Sequence, residues 1–482
     1  MTPFEKDTFS RWTSKDEDNS ITETVLSLLW NRLLHHAVPD SVSANVLSLG
    51  GLLCLVHAWY LCFLYMAVEP RWISLGACAL IVAYLVLDGV DGKHAARTRT
   101  DSPLGEFFAH CCCNVGFVFS TLTACYVLGI EDLSLRWYLV QIGQLIALRC
   151  HIRAFKSKVI SYSKLTSPGE GFFVLLLIMG TKALFPSLFG QLSGIVTTLI
   201  NTLNSLGMSL DPNNHTALFA LLIHTLFYGL IVLTLLDALS IPKQNQATRN
   251  GIAFCLIYRL GPAFLMWLGV MPGSFTTWDL ISEGLFMSLL TSDIILAKMA
   301  NRDLHPYIVI FSMVSVLDNF IILLTVAIYY TSVLYDISDY MQLSVFGVVR
   351  NVYVDGVYDM CHLGHFNSFK KALSYGNRLI VGVLSDEHVQ RYKRSPIMTM
   401  KERAEVVATS RFVHKVIAPC PFPGIPEEFI REHRIHVVCH STEYDKPDDI
   451  YYVVPRAMGI TRVMPRTEGM STSELIKRVK AY

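Results

Sequence analysis

The sequence lacks an excess of charge of either sign, because 40 lysines and arginines nearly balance 39 aspartates and glutamates in 482 residues. A net charge of +1 gives no indication of a nucleic-acid partner, and we expect none. Charged residues are also scarce, at 16%, whereas hydrophobic residues reach 52%. With a mean hydropathy of +0.41, this composition excludes an ordinary soluble protein and predicts membrane spans.

Signals for secretion and for disulfide bonds are also missing. Residues 1–20 are polar and acidic and have no apolar centre, which argues against a cleavable signal peptide. The twelve cysteines show no disulfide spacing. Three of them, Cys111, Cys112 and Cys113, are consecutive, so on one helix their thiols would point in three directions. We interpret them as reduced membrane cysteines.

Apolar runs long enough to cross a bilayer fill much of the first 340 residues. Before them, residues 21–37 place apolar side chains at helical spacing, which predicts an amphipathic helix lying on the membrane. The runs are 45–67, 71–90, 105–129, 136–154, 170–189, 216–240, 251–270 and 279–299. Loops rich in lysine and arginine alternate with loops that are poor in both, and the basic loops should be cytosolic.

The segment 305–340 determines the predicted topology. If it holds one span, the charged C-terminal region lies outside the cytosol. If it holds two short spans, broken near Asp318 and Asn319, that region lies inside. The second choice gives about ten spans with both ends cytosolic. The predicted regions are therefore a polar N-terminus with an interfacial helix (1–40), a helical membrane domain (41–340) and a soluble α/β domain (341–482).

The soluble region begins with "NVYVDGVYDMCHLGHFNSFKKA", which predicts a strand over 352–354 and a helix from about His362. In an α/β fold, ligands bind at the carboxyl ends of the strands. Gly364 permits close backbone approach, while His362 and His365 at the helix start suit an anion. Taken alone, such a histidine pair could also bind a metal or do nothing.

A second stretch, "PRTEGMSTSELI" at 465–476, places hydroxyl groups at another helix start. Ser471, Thr472 and Ser473 could cradle a phosphate there. The simpler alternative is a capping box formed by Ser471 and Glu474.

Together, HxGH and RTEGxSTS resemble the cytidylyltransferases that join CTP to phosphocholine, phosphoethanolamine or glycerol 3-phosphate, over about 350–480. The resemblance implies a Rossmann-like nucleotidyltransferase domain, Mg²⁺ bound with CTP, and a homodimer. It implies catalytic roles for His362, His365, Lys393 and Arg466. It implies nucleotide binding by Gly364, Arg403, Ser471 and Thr472.

The same resemblance implies that an acid and an aromatic cage bind the cationic head group of the alcohol. Asp355 matches the acid, and Phe422, Tyr444 and Tyr451 fall near the cage positions. Ordinary packing is the alternative for these three rings. The sequence of the segment 355–376 is more similar to that of the ethanolamine enzymes. Those enzymes usually carry two copies of the domain. The choice between phosphocholine and phosphoethanolamine therefore stays open.

The membrane region contains "LDGVDGKHAARTRTDSPLGEFFAHCCCN" at 87–114, which resembles the signature of the CDP-alcohol phosphotransferases over about 20–340. The matching residues are Asp88, Asp91, Gly92, Ala95 and Gly105. In that family, four aspartates on two neighbouring helices hold two divalent ions and deprotonate the alcohol of diacylglycerol.

Two of the four expected aspartates are absent from this sequence. The third position is Ala109 and the fourth is Cys113, a soft ligand that suits Mg²⁺ poorly. We interpret the site as degenerate, with Asp88 and Asp91 as residual metal ligands.

The resulting hypothesis is a membrane-anchored cytidylyltransferase that transfers CMP from CTP to phosphoethanolamine or phosphocholine for phospholipid synthesis. An alternative is a bifunctional enzyme that also transfers the phospho-alcohol to diacylglycerol, and a third is a non-enzymatic nucleotide-binding scaffold. The expected location is the membrane of the endoplasmic reticulum or Golgi, in contact with membrane lipid, with the C-terminal domain in the cytosol.

Overall fold

The computed structural model describes residues 1–14, 17–18, 21–98, 100–162, 168–188, 198, 201–202, 204–205, 215–314, 316–341, 343–391, 395–446, 449–465 and 472–481. Contacts divide the chain into two compact units, Met1–Phe346 (unit 1) and Gly347–Tyr482 (unit 2). In its described residues, the regular structure of unit 1 is helical apart from a pair of two-residue strands, β1 (Glu17–Asp18) and β2 (Ser161–Tyr162).

The helices that the structure describes in unit 1 include one for each of the eight predicted apolar runs. They are α1 (Pro3–Ser10), α2 (Ile21–Ala37), α3 (Ala44–Tyr65), α4 (Pro70–Thr98), α5 (Pro103–Leu128), α6 (Leu133–Ser157), α7 (Pro168–Leu184), α8 (His215–Leu239), α9 (Gln246–Trp267), α10 (Thr277–Ala300), α11 (Pro306–Val314) and α12 (Asn319–Met341). Local signals set several of the ends. Ser102 caps α5 by accepting the Gly105 amide at 3.0 Å, and the helix ends at Gly129 with φ 72°.

Among the residues that the structure describes, six helices of unit 1 are long and apolar enough to cross a membrane. They are Ala44–Tyr65, Pro70–Thr98, Pro103–Leu128, Leu218–Leu239, Thr277–Ala300 and Asn319–Met341. The predicted break in the segment 305–340 is present between α11 and α12. However, α11 has nine residues, which rise only about 14 Å in an α-helix. Because the bilayer core is about 30 Å thick, α11 cannot cross it alone. The count of ten spans is not confirmed.

Small residues allow the central helices of unit 1 to approach closely. A Cβ atom on Gly284 of α10 would lie 2.9 Å from Val118 of α5 and from Val140 of α6. Such contacts are typical of packed membrane helices. The predicted helix over 21–37 is also present as α2. Its Trp30 ring covers Gly89 of α4, where a Cβ would lie 2.3 Å away, whereas Val25 stays 67% exposed.

Unit 2 is built on a five-stranded parallel sheet in the order β5-β4-β3-β6-β7. The strands are β3 (Asn351–Gly356), β4 (Arg378–Val383), β5 (Lys415–Ile417), β6 (Ile435–Ser441) and β7 (Thr461–Met464). The helices are α13 (Leu363–Leu373), α14 (Asp386–Gln390), α15 (Met400–Ala408), α16 (Glu427–Glu432), α17 (Val453–Ala457) and α18 (Thr472–Lys480).

Alternate residues of β3 serve two cores, as strand geometry requires. Val352 and Val354 pack with Phe369 on one face, and Tyr353 packs with Phe429 on the other. The chain runs from β3 outward through β4 to β5, then returns to the other side of β3 with β6 and β7. The strand order therefore reverses between β3 and β6, at whose carboxyl ends a doubly wound sheet binds its ligands. The predicted combination of a helical membrane domain and a Rossmann-like domain is confirmed.

Candidate active site

The two histidines of HxGH lie at the start of α13, just after the carboxyl end of β3. The connecting loop is tight, with Tyr358 and Met360 at φ 57° and 48°. His362 accepts the Gly364 amide on Nδ1 at 3.1 Å, and His365 accepts the His362 amide on Nδ1 at 3.3 Å. The two imidazole rings stack at 4.1 Å with an interplanar angle of 25°.

These backbone contacts select one tautomer in each ring. An imidazole that accepts a hydrogen bond on Nδ1 carries its proton on Nε2 when it is neutral. His362 and His365 therefore each present an Nε2–H donor on the other side of the ring. Two stacked donors at a helix start can hydrogen-bond the oxygens of one phosphate group.

Thr472, the first residue of α18, lies against His362, although the two are 110 residues apart. Its hydroxyl donates to the Asp359 carbonyl at 3.1 Å and lies 3.5 Å from His362 Nε2. The Asp359 carboxylate in turn accepts the Ile397 and Met398 amides, both at 3.0 Å. Asp359 therefore joins the loop before α13 to α18 and to the segment before α15.

Three predicted residues, Lys393, Arg466 and Ser471, lie outside the described residues. Gly364 is described, and its amide makes the contact to His362 given above. Of the two cradles predicted from the sequence, the structure therefore places His362, His365 and Thr472 together.

Arg403 is fully buried and uses its guanidinium inside the protein. It donates to the Val357 carbonyl at 2.5 Å and the Leu384 carbonyl at 2.7 Å, and it pairs with Asp386 at 2.6 Å. This ion pair lowers the pKa of Asp386, against an opposing effect of burial. The contacts make Arg403 a positioning residue that ties the loops after β3 and β4 together, and direct contact with a nucleotide stays a prediction.

Asp355, the second-to-last residue of β3, lies on the strand face opposite α13, and its carboxylate accepts the Tyr452 hydroxyl at 3.0 Å. Burial raises the pKa of Asp355 to about 7, although the hydrogen bond from Tyr452 acts in the other direction. The group is therefore poised to change charge near neutral pH, as functional carboxylates often are.

The three predicted cage residues lie in one aromatic cluster beside Asp355. Phe422 and Tyr451 have ring centroids 6.5 Å apart, and Tyr444 lies 6.5 Å from Tyr452. Tyr452 joins the two halves, because its ring is 4.9 Å from that of Tyr451. The structure therefore gathers all three rings around Tyr452, which bonds to Asp355.

Sequence analysis missed Tyr452, which is 4% exposed and bonds directly to Asp355. The sequence signal that could have identified Tyr452 is the pair of adjacent tyrosines in "DIYYVV", of which only Tyr451 was assigned to the cage. It also missed His440 near the end of β6, whose ring packs against Tyr452 with centroids 4.6 Å apart. Its position depends on the pairing of β3 with β6, in which Val354 lies opposite Cys439, the residue before His440.

The degenerate motif of unit 1 is also brought together, around Tyr84. The Tyr84 hydroxyl lies 3.4 Å from Asp88 and 3.6 Å from the Cys113 thiol. Asp91 accepts hydrogen bonds from the Ser48 hydroxyl at 2.5 Å and from the Gly92 amide at 2.6 Å. Within the described parts of the chain, no three His, Cys, Asp or Glu residues are grouped to hold a metal ion.

Each of the two units matches a known family model over part of its length. The cytidylyltransferase-like family model matches residues 353–478, and the CDP-alcohol phosphatidyltransferase model matches residues 41–203. The chain therefore carries one domain of each kind.

Individual curated relatives align with this chain over stretches about as long as the cytidylyltransferase-like match at 353–478. Ethanolamine-phosphate cytidylyltransferase of Dictyostelium discoideum is 34% identical over 134 residues, which are 27% of this chain and 37% of that protein. Choline-phosphate cytidylyltransferase A of Homo sapiens is 38% identical over 133 residues, 27% of this chain and 36% of that protein. A probable ethanolamine-phosphate cytidylyltransferase of Encephalitozoon cuniculi is 35% identical over 133 residues, with 41% of that protein covered. The chain thus spans well under half the length of these curated relatives.

Proposed function

We propose that the cytidylyltransferase-like domain in unit 2 transfers CMP from CTP to phosphoethanolamine or phosphocholine, and that unit 1 anchors it in a membrane. The observation that carries this proposal is the stacked pair of His362 and His365 with Thr472 beside it. Relatives named for each of the two alcohols match this domain at similar identity, which supports a phosphorylated amino alcohol as substrate.

In the proposed reaction, a phosphate oxygen of the phospho-alcohol attacks the α-phosphorus of CTP. The bond from the α-phosphorus to the oxygen that bridges to the β-phosphorus breaks, and pyrophosphate leaves with that oxygen. Catalysis then depends on positioning and on neutralising charge at the attacked phosphorus. The Nε2–H groups of His362 and His365 supply two fixed donors, and Lys393 and Arg466 would add positive charge.

Magnesium would accompany CTP rather than occupy a protein cage. The described residues contain no cluster of three His, Cys, Asp or Glu side chains placed for a metal. The donor set at the candidate site is instead rich in hydrogen-bond donors, which suit phosphate oxygens. Bound to the triphosphate, the ion would neutralise negative charge.

The alcohol would bind at the carboxyl ends of β3 and β6, where Asp355 provides a carboxylate beside Phe422, Tyr444 and Tyr451. An acid together with aromatic faces suits either an ammonium or a trimethylammonium group. Both alcohols therefore remain candidates for this site.

We propose that unit 1 is an anchor, with unit 2 on the cytosolic side, where CTP is available. Endoplasmic reticulum or Golgi membranes and a homodimer complete the proposal. The bifunctional alternative is disfavoured because Ala109 provides no ligand and the Cys113 thiol lies against Tyr84.

The deciding experiment incubates purified protein with CTP, Mg²⁺ and a panel of phosphocholine, phosphoethanolamine and glycerol 3-phosphate. Pyrophosphate release and CDP-alcohol formation are both measured. We expect stoichiometric formation of the two products with at least one amino alcohol and much less with glycerol 3-phosphate. Absence of both products with every amino alcohol would refute the proposed function.

A further inference from the structure

The other cations of unit 1 whose side chains are almost fully buried have hydrogen-bond partners among the described residues. Arg302 pairs with Asp293 at 2.5 Å, Arg259 pairs with Glu283 at 2.6 Å, and Arg136 donates to the Ile130 carbonyl at 2.5 Å. Pairing of this kind compensates for the high cost of removing a charge from water.

Lys298, in the last turn of α10, departs from this pattern. Lys298 is only 1% exposed, and its Nζ atom has no hydrogen-bond partner among the described residues. No described carboxylate lies within ion-pair distance of it. Its ammonium group lies over the ring of Trp12, whose centroid is 5.0 Å from Nζ. A ring face compensates a buried ammonium much less than a hydrogen-bonded anion does.

A second unpartnered group lies in the same place. His151 of α6 is 5% exposed, and its Nδ1 also has no hydrogen-bond partner among the described residues. It interacts electrostatically with Lys298 and with His110 of α5, whose ring centroid is 5.4 Å away. Lys158, which caps α6, is close enough to Lys298 for the two charges to repel one another.

These four residues, Lys298, His151, His110 and Lys158, form a basic cluster where the ends of three helices meet. Trp12 lies over it, and the Trp12 indole donates to Glu106 at 3.0 Å. Two lysines and two imidazoles offer several N–H donors to one group. A phosphate, with several charged oxygens, can accept from more than one of them at once.

We propose that the basic cluster is a binding site for a phosphate group, with Lys298 and His151 as its direct ligands and Trp12 as its cover. This inference concerns unit 1 and does not depend on the proposed function of unit 2. The phosphate could belong to a water-soluble molecule or to a lipid head group, and the experiment distinguishes the two.

Full-length protein in phosphatidylcholine nanodiscs is compared with its Lys298→Met variant by thermal unfolding and calorimetric titration. One arm adds inorganic pyrophosphate, and the other replaces part of the phosphatidylcholine by phosphatidic acid. Lys182→Met is the matched control, because it removes a lysine that contacts the Leu128 carbonyl at the opposite end of α5. Any response from unit 2 is common to all variants and cancels in the comparison.

Wild-type protein and Lys182→Met should gain thermal stability in at least one arm. Lys298→Met should lose that gain and bind the probe at least about tenfold more weakly, as expected for loss of a charged hydrogen-bond donor. Without added anion, Lys298→Met should unfold at the same or a higher temperature, because it removes an uncompensated charge. His151→Phe, which keeps the charge of Lys298, should also weaken binding and serves if the first variant fails to fold.

A response to pyrophosphate alone assigns a soluble ligand, and a response to phosphatidic acid alone assigns a lipid head group. Equal responses of the wild type, Lys298→Met and His151→Phe in both arms would overturn the proposal. So would the absence of any response in the wild type, and Lys298 would then serve only the C-terminal end of α10.

Discussion

At the residue scale, the candidate site depends on how backbone amides orient the histidine side chains. His362 and His365 both accept amides on Nδ1, so the nitrogen that faces a ligand is Nε2 in each. Sequence spacing alone left the pair open to metal binding or to no function. The hydrogen bonds favour phosphate donors, because neutral rings with protonated Nε2 atoms cannot coordinate a metal through those atoms.

Substitution of His365 by alanine should lower kcat by roughly two orders of magnitude or more, as loss of a transition-state donor does. The control is His433→Ala. His433 lies just before β6, at the amino ends of the strands and away from the candidate site, and its ring contacts Phe429. Its kcat should stay close to that of the wild type. Near-normal turnover of His365→Ala in the pyrophosphate assay would reject the assigned role.

Replacement of Tyr451 by alanine tests whether the aromatic cluster is a cage. If its ring faces a trimethylammonium group, kcat/KM should fall more for phosphocholine than for phosphoethanolamine, by about 0.5–2 kcal/mol. Tyr451→Phe is the matched control, since it keeps the ring and removes only the hydroxyl that donates to the Pro421 carbonyl at 2.9 Å. Equal losses for both substrates would leave Tyr451 a packing residue.

The raised pKa of Asp355 predicts a pH dependence of substrate binding. Burial raises this pKa to about 7, so the carboxylate is neutral below that pH and charged above it. Because the proposed role requires negative charge, KM for phosphocholine should fall as the pH rises from about 6 to about 8. The trimethylammonium group keeps its charge throughout, and titration of the substrate phosphate is common to all variants.

Asp355→Asn is the control for this profile. It should raise KM and remove the part of the pH dependence that belongs to Asp355. The same carboxyl group should affect stability in the opposite sense. Since the folded state holds the proton more tightly, its contribution to the free energy of unfolding is present below about pH 4 and lost as the pH rises through about 7. A wild-type KM profile parallel to that of Asp355→Asn would contradict the prediction.

At the element scale, α4 and α5 bring the remains of the membrane motif together without completing it. Asp88 and Cys113 meet at the Tyr84 hydroxyl, and Asp91 is satisfied by Ser48 and Gly92. The helices were predictable from their apolar runs and caps. The role of Tyr84 was not, because it depends on how α4 and α5 pack.

Unmodified protein should make no phospholipid from CDP-choline or CDP-ethanolamine, diacylglycerol and Mg²⁺ or Mn²⁺. Two hard oxygen ligands are missing at Ala109 and Cys113, and general-base assistance is typically worth about 10²–10⁴-fold. Restoring both acids in Ala109→Asp with Cys113→Asp should create measurable lipid synthesis, followed with labelled CDP-alcohol. Each single variant is the matched control and should be insufficient alone. Equal rates for wild type and the double variant would make unit 1 a second enzyme.

The segment 305–340 shows the limit of prediction for elements. Its apolar residues and the polar pair Asp318 and Asn319 correctly indicated a break. They did not indicate that α11 would have only nine residues while α12 has 23. Hydropathy measures how well a segment tolerates lipid, whereas helix ends here depend on local capping and on packing against other helices.

At the scale of the whole molecule, the predicted topology puts both chain ends in the cytosol. It can be tested with terminal tags in sealed membrane vesicles of known orientation, treated with protease before and after detergent. With the cytosolic face outward, both tags should be digested without detergent. The N-terminal tag is the internal reference, and protection of the C-terminal tag alone would indicate an odd number of spans and contradict the topology.

The sequence by itself determined the two kinds of domain. Apolar runs predicted the helices of unit 1, because lipid and helix cores both require long apolar segments. Strand and helix alternation with two spaced motifs predicted a Rossmann-like domain, and strand β3 and helix α13 lie where these patterns placed them. Missing acids at Ala109 and Cys113 are likewise visible in the sequence alone.

Only the tertiary structure decided which residues meet. It joined Thr472 to His362, placed Tyr452 on Asp355, and buried Arg403 among internal carbonyls. It also left Lys298 without a carboxylate partner among the described residues. These outcomes depend on contacts between residues far apart in the chain. Local sequence patterns indicate the periodicity of each helix or strand. Burial, however, arises only when those elements pack together, and burial sets both the pKa values of side chains and the free-energy cost of an unpaired charge.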